Sequence, residues 1–248
     1  MTATLANIVR HPIKSHGRED LQSVMLAGGQ GLPFDRHWAV AHDAAKLVDG
    51  WNPCVNFARG AKAPGLMAIS ARLDEAALAV TLMHPDKAEL TFAPDNADDL
   101  ARFLDWAHGL NPAGRAQPAR IIKAGVAMTD TDFPSVSIFG LASNRDLSSR
   151  MGQDLSPHRW RGNLWVDGLA PWEEFDWVGR DVQIGGAVLH VQERIVRCKA
   201  TAANPATGLI DADTLNALQG GFGHQEFGVY ARVISGGLIA TGDKVTAL

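Results

Sequence analysis

The chain of 248 residues has only two cysteines, Cys54 and Cys198. Two thiols cannot build a disulfide framework, which fits a reducing cytoplasm, and they cannot form a four-thiolate zinc or iron–sulfur site. Long apolar runs are missing as well. None approaches the roughly 20 residues a bilayer-crossing helix needs, and Met1 to Arg10 has neither the apolar core nor the cleavage pattern of a signal peptide. Positive charge is not in excess: 23 Lys and Arg stand against 27 Asp and Glu, a formal net charge of −4. Nothing global therefore points to nucleic acid or an anionic membrane, and any cationic site must be local. No G-x-G-x-x-G opens a helix after a strand and no Walker loop is present, which sets aside a nicotinamide dehydrogenase and a nucleotide triphosphatase. The sequence shows no repeat and no low-complexity tract.

What is present is ordinary globular composition, with length for one large or two small domains. Glycines and prolines are spread widely, as in many short strands joined by turns. Strand patterns run over Leu5 to Arg10, Leu21 to Leu26, Trp38 to His42, Leu66 to Leu73, Ala77 to Met83 and Glu89 to Phe92. His11 to Arg18 reads as a polar loop. Apolar spacing over Asn96 to His108 predicts a helix capped by Asn96. A second helix is expected over Ser143 to Met151, closed by Gly152, and a weaker third over Asp213 to Leu218. Asn163 to Val166, Asp181 to Gly185, Val188 to Val196, Gly228 to Ile234 and Lys244 to Leu248 read as strands. The expected fold is mostly β with short helices, an α+β architecture.

The chemistry centres on Arg197-Cys198-Lys199-Ala200-Thr201. Here one cysteine sits between two cations, at the end of a strand pattern and before a turn. Cations favour the thiolate, the form that attacks or binds metal. Three readings stay open on these residues: a small buried side chain, the nucleophile of a cysteine hydrolase with a histidine base, and a ligand to a soft metal that brings its other ligands. A second constellation is His11-Pro12-Ile13-Lys14-Ser15-His16-Gly17-Arg18 with Asp35-Arg36, suited to an anion such as phosphate. It reads equally as a solvated basic loop. Arg159-Trp160-Arg161-Gly162-Asn163 offers either a third anion grip or a surface turn. Asp130 and Asp132 read as a carboxylate pair or, preferably, a polar loop. Trp160, Trp165, Trp172 and Trp177 read as packing.

These words resemble the MOSC domain, named after the C-terminal domain of molybdenum cofactor sulfurase. Arg161-Gly162-Asn163-Leu164-Trp165-Val166-Asp167-Gly168, Arg197-Cys198-Lys199-Ala200-Thr201 with Pro205 to Gly208, Phe227-Gly228-Val229-Tyr230 and Gly242-Asp243 carry the likeness in the second half. His11 to Ser15, Gly31-Leu32 and Asp35 to Val40 resemble the β-barrel domain that precedes MOSC in many members. The nearest branch by these words contains the mitochondrial amidoxime reducing component and its bacterial relatives. The resemblance implies a smaller β-rich N-terminal domain over 1–95 and a MOSC β-barrel over 96–248, with the site shared between them.

It further implies a mononuclear molybdenum oxidoreductase holding the molybdenum cofactor, Mo-molybdopterin. Cys198 matches the metal ligand. Lys14, Ser15, Arg36 and Arg161 match residues holding the phosphate end of the pterin. Asn163 shares the Arg161 motif, Thr131 falls in a cofactor-contacting loop, and Ser143 is a candidate phosphate-binding helix cap. The family is also associated with pyridoxal phosphate binding. The expected reaction is reduction of N-hydroxylated or related N- and S-oxygenated compounds. The expected electron donor is a separate flavin, haem or iron–sulfur protein. The alternative is a cofactor or sulfur carrier without turnover. Departures from the family pattern are His11 where Tyr is frequent, Gly162 where Pro is common, and Ile195 where some relatives have a second cysteine.

Overall fold

A computed structural model describes residues 2–123 and 125–248. Sixteen strands are described: β1 Thr4–Arg10, β2 Ile13–Lys14, β3 Glu19–Leu21, β4 Ser23–Leu26, β5 Trp38–His42, β6 Ser70–Asp74, β7 Ala79–His84, β8 Lys87–Phe92, β9 Pro118–Ile122, β10 Val136–Gly140, β11 Leu164–Asp167, β12 Asp181–Ile184, β13 Ala187–Val196, β14 Glu226–Ser235, β15 Gly237–Ala240 and β16 Val245–Ala247. Three α-helices accompany them: α1 Ala97–Ala107, α2 Leu141–Met151 and α3 Thr214–Phe222. The architecture is α+β and mostly β, as its alternating patterns predict.

The larger unit is an eight-stranded sheet in the order β16-β12-β13-β14-β10-β11-β1-β3. Its open side closes where β1 meets the segment before β16: Leu5 N bonds Asp243 O at 2.8 Å and Val245 N bonds Ala3 O at 2.9 Å. The barrel so formed encloses an aliphatic core that includes Leu5, Ile8, Ile138, Val166, Leu189 and Val229, all fully buried. The N-terminal unit is built from β2-β5-β9 and β6-β7-β8, with α1 packed on them. Asn96 caps α1, its side chain accepting from Asp98 N at 2.9 Å.

Several sequence expectations change. Leu21 to Leu26 is not one strand: it breaks at Gln22 into β3, which joins the barrel, and β4, which pairs with β15. Leu66 begins inside a 3-10 turn, Pro64–Ala68, so the strand starts only at Ser70. Phe103, Trp106 and Ala107 of α1 belong to the N-terminal core, whereas β1 and β3 are barrel strands. Sequence order and core membership therefore cross, because hydrogen bonding of β1 to β11 outweighs chain proximity. The stretch His11 to Arg18 is not a solvated loop: His11, Lys14 and His16 are buried. No helix among the described residues is long and apolar enough to cross a membrane, which says nothing of a β-barrel.

Candidate functional site

The two units meet around a cavity of about 280 Å³. Lys14, Ser15, Arg36, Cys54 and Arg59 line it from the N-terminal side, and Arg159, Arg161, Arg197, Cys198 and Tyr230 from the barrel side. Six cations and one carboxylate, Asp130, face it among the described residues. In a chain of net charge −4 this is a local concentration of the opposite sign.

On the N-terminal side each cation is paired with a carboxylate, with one exception. The Lys14 ammonium donates to Met128 O (2.7 Å), Thr129 O (3.2 Å) and the Asp130 carboxylate (2.7 Å). Burial lowers its pKa while Asp130 opposes that shift. Burial pushes Asp130 up, but Lys14 and Arg36 overcome it and hold the carboxyl at about 2. Arg36 pairs with Asp35 and donates to Arg161 O at 2.9 Å. Asp35 is itself buried and also accepts from His11 N at 2.8 Å. The exception is Arg59, whose Nη1 donates to Cys54 Sγ at 3.0 Å and which meets no carboxylate among the described residues.

The barrel side differs. Arg159 pairs with Asp211 at 2.6 Å, yet its buried Nε has no partner. Arg161 donates to Gly17 O at 3.2 Å, and Arg197 to Trp160 O at 2.6 Å. Neither meets a carboxylate among the described residues, and the buried Nε of Arg197 is orphaned. Burial, then Arg36 and Arg18, push Arg161 down to about 9, and burial lowers Arg197 as well. Both remain cations at neutral pH, in an environment that disfavours their charge. Tyr230 is pushed up to about 12 by burial and by Asp130, so its phenol stays protonated.

Backbone geometry marks the same residues. Ser15, Arg36 and Arg161 have φ of 63°, 51° and 50°, three of six non-glycine residues with positive φ among those described. Each such position costs about 1–3 kcal/mol and persists only where surrounding contacts impose it. The Arg36–Arg161 O bond and the Arg161–Gly17 O bond are such contacts.

An aromatic floor supports Arg197, whose guanidinium lies 5.7 Å from the ring centroids of Phe139 and Trp160. Phe139 stacks on Trp165 at 4.9 Å, and Trp160 on Phe227 at 4.0 Å. Two glycines make room for Phe139. A Cβ on Gly162 would lie 2.3 Å from its ring, and one on Gly228, at φ 77°, 2.4 Å. The glycine at 162 thus has a packing reason, and the tryptophans Trp160, Trp165 and Trp177 are core residues.

Cys198 stands two residues beyond β13, exposed, where the backbone enters a 3-10 turn, Lys199–Ala202. Its solvent access rules out the reading of a buried bystander. No group of three His, Cys, Asp or Glu side chains able to hold a metal occurs among the described residues, so a metal at Cys198 must bring other ligands. Arg161 and Arg197, without a carboxylate among the described residues, the orphaned Arg197 Nε and an exposed thiol on one cavity fit an anionic ligand that carries a soft metal.

Of the sequence candidates, Lys14, Ser15, Arg36, Arg161 and Cys198 line the cavity together. Asn163 lies behind it: its Oδ1 accepts from Ser137 Oγ at 2.9 Å and its Nδ2 donates to Val9 O at 3.1 Å, bracing β10 against β1. Thr131 is buried in bonds to Phe133 O and Ser135 Oγ, both 2.8 Å. Ser143 is not a helix cap. The cap of α2 is Gly140, and the Ser143 hydroxyl, fully buried, donates to Glu174 at 2.7 Å and accepts from Trp172 N at 2.8 Å. It is absent from the cavity wall. Sequence reasoning missed Arg59, and set aside Asp130 as a polar loop. The Cys54 to Arg59 spacing and the Thr-Asp-Thr-Asp word were the only signals.

Comparison with family models finds the MOSC N-terminal beta barrel domain over residues 2–116 and the MOSC domain over 128–246. The first match includes α1, in agreement with its packing. MOSC domains are linked to binding of the molybdenum cofactor. Among solved structures, the YUAD protein of Bacillus subtilis is similar at 13% identity, covering 100% of this chain and 96% of that one, with a TM-score of 0.48. YiiM of Geobacillus stearothermophilus is similar at 18% identity, over 46% of this chain and 53% of its own, with a TM-score of 0.36. YiiM of Escherichia coli is similar at 16% identity over the same shares, with a TM-score of 0.34. A search of curated proteins finds no match.

Proposed function

The chain belongs to the MOSC-domain proteins, with a MOSC N-terminal beta barrel domain ahead of the MOSC domain, and on that premise we propose that it is a molybdenum-cofactor-dependent reductase of N-hydroxylated or related N- and S-oxygenated compounds. One observation carries the reading: an exposed thiol and two barrel-side guanidiniums without carboxylate partners among the described residues, Arg161 and Arg197, share one cavity. When bound, the cofactor supplies two-electron chemistry at molybdenum. The net reaction is R–NH–OH + 2 e⁻ + 2 H⁺ → R–NH₂ + H₂O, with electrons from a separate flavin, haem or iron–sulfur protein.

The residues divide the work. Cys198 would provide the protein's thiolate to the metal. Ser15, Arg36 and Arg161 would hold the phosphate end of the pterin, and Lys14 fixes the 128–130 segment on the same cavity. Asn163 and Thr131 brace the elements that carry these groups. The Tyr230 hydroxyl, protonated at neutral pH, is a donor on the cavity wall.

The test compares wild type with Cys198→Ser, both purified from cofactor-competent cells. Metal content and pterin fluorescence are read first. Absorption is then followed through reduction by dithionite and addition of an N-hydroxy compound. The expected result is molybdenum and pterin in wild type, reoxidation by the compound, and loss of most molybdenum in Cys198→Ser. Wild type with neither metal nor pterin overturns the proposal. Bound cofactor that no N- or S-oxygenated compound reoxidises marks a carrier instead.

A further inference from the structure

Arg59 is a cavity cation that the family words leave unassigned. Its backbone is rigid: Ala58 N bonds Val40 O at 2.9 Å, and Arg59 O accepts from Lys62 N and Ala63 N, both at 3.0 Å. Its side chain is aimed by the 3.0 Å bond to Cys54 Sγ. Sulfur is a weak acceptor, so this contact directs the guanidinium without the compensation a carboxylate would give. Lys14 and Arg36, the other cations of the same wall, are both paired with carboxylates.

The Arg59 loop also packs on the segment that begins at Cys198. A Cβ on Gly60 would lie 3.4 Å from Ala200 Cβ, so the loop that carries Arg59 lies in van der Waals reach of the turn that follows Cys198. Arg59 and Cys198 line the same cavity. Of the phosphate-holding candidates, Arg36 and Arg161 are bonded to each other through Arg36 Nη2 and Arg161 O, a contact in which Arg59 takes no part.

We propose that Arg59, directed by Cys54, is a substrate anchor that selects N-oxygenated compounds bearing a carboxylate at the far side of the molecule over neutral ones. The proposal rests on the reading of Cys198 as the metal-bearing end. A partly exposed guanidinium–carboxylate contact is worth about tenfold in affinity.

The test uses protein loaded with cofactor and measures binding of 4-carboxybenzamide and benzamide by calorimetry. These are the reduced forms of the corresponding N-hydroxy amides, so binding is read without turnover. Wild type should favour the carboxylated ligand about tenfold. Arg59→Met should bring the ratio to about one, Arg59→Lys should keep part of it, and Cys54→Ala should weaken it while the charge remains. Molybdenum and pterin content should match wild type in all three. The proposal fails if wild type shows no preference or if Arg59→Met keeps it. Loss of pterin from Arg59→Met also overturns it, by assigning Arg59 to the cofactor. If Arg59→Met does not fold, Arg59→Lys and Cys54→Ala decide the same point. A protein that shows the preference but never reduces an N-hydroxy amide refutes the reductase reading and leaves the anchor standing.

Discussion

On the N-terminal wall of the cavity, Lys14 and Arg36 each meet a carboxylate, Asp130 and Asp35; on the barrel wall, Arg161 and Arg197 meet only the carbonyls of Gly17 and Trp160. A carbonyl offers a dipole where a carboxylate offers a full charge. The paired cations can therefore be buried at small net cost, and they spend their donors on fixing the wall's shape. The unpaired ones keep charge that their surroundings disfavour, which an anionic ligand would relieve. Lys14 and Arg36 set the geometry and Arg161 and Arg197 supply the attraction, while Arg59 on the first wall and Arg159, paired with Asp211, on the second depart from that division.

Four changes break or sharpen this contrast. The largest is Asp35→Ala, which makes the N-terminal wall resemble the barrel wall by stranding Arg36. Breaking a buried pair in this way costs about 3–5 kcal/mol, to be read by chemical denaturation. Arg36→Met added to it should restore part of the loss.

Acid should act next. Burial pushes His16 down to about 4 and His11 well below its usual value. The unfolded chain takes up these protons near pH 6.5 and the folded one does not. Stability should thus fall as pH drops from about 6.5 to 4, by about 3 kcal/mol for His16 alone. Asp35 behaves oppositely in origin. Burial raises it, but Arg36 and His11 hold it below the usual range. Its contribution is present above about pH 4 and is lost as pH falls further. Denaturation curves across pH should show the first window shrink in His16→Gln.

Gly228→Ala tests the barrel wall's floor. Its Cβ would press on Phe139 beneath Arg197, at a positive φ, and overpacking of this kind costs about 1–3 kcal/mol. The smallest effect on stability belongs to Arg161→Met, about 1 kcal/mol or less, since one carbonyl bond is lost along with a disfavoured charge. Its effect should appear in binding: affinity for inorganic pyrophosphate, measured by calorimetry on cofactor-free protein, should fall about tenfold. Stability loss in Asp35→Ala and binding loss in Arg161→Met are the two halves of the contrast.

The continuous apolar run Trp38–His42 was readable as a strand, as were the long, partly alternating β13 and β14 and the Asn96 cap of α1. Short strands such as β2 and β15 were not, because two to four residues carry too little periodicity and their partners supply the pairing. Ser143 misled because a serine before an apolar pair looks like a cap. In the fold, β10 runs directly into α2, so the helix starts two residues earlier and Ser143 turns inward to Glu174. Arg59 left no signal beyond its spacing from Cys54, since its meaning depends on Gly60 lying against Ala200.

By itself the sequence determined the mostly β character, the isolated Cys198 between Arg197 and Lys199, and the cationic words around Lys14, Arg36 and Arg161. Those follow from residue type and periodicity, which act over a few residues. Only the tertiary structure decided which of these charges are compensated. Lys14 meets Asp130 across 116 residues, and Arg36 reaches Arg161 across 125. Such pairings are fixed by barrel closure and by the packing of the N-terminal unit against it, which no local pattern encodes.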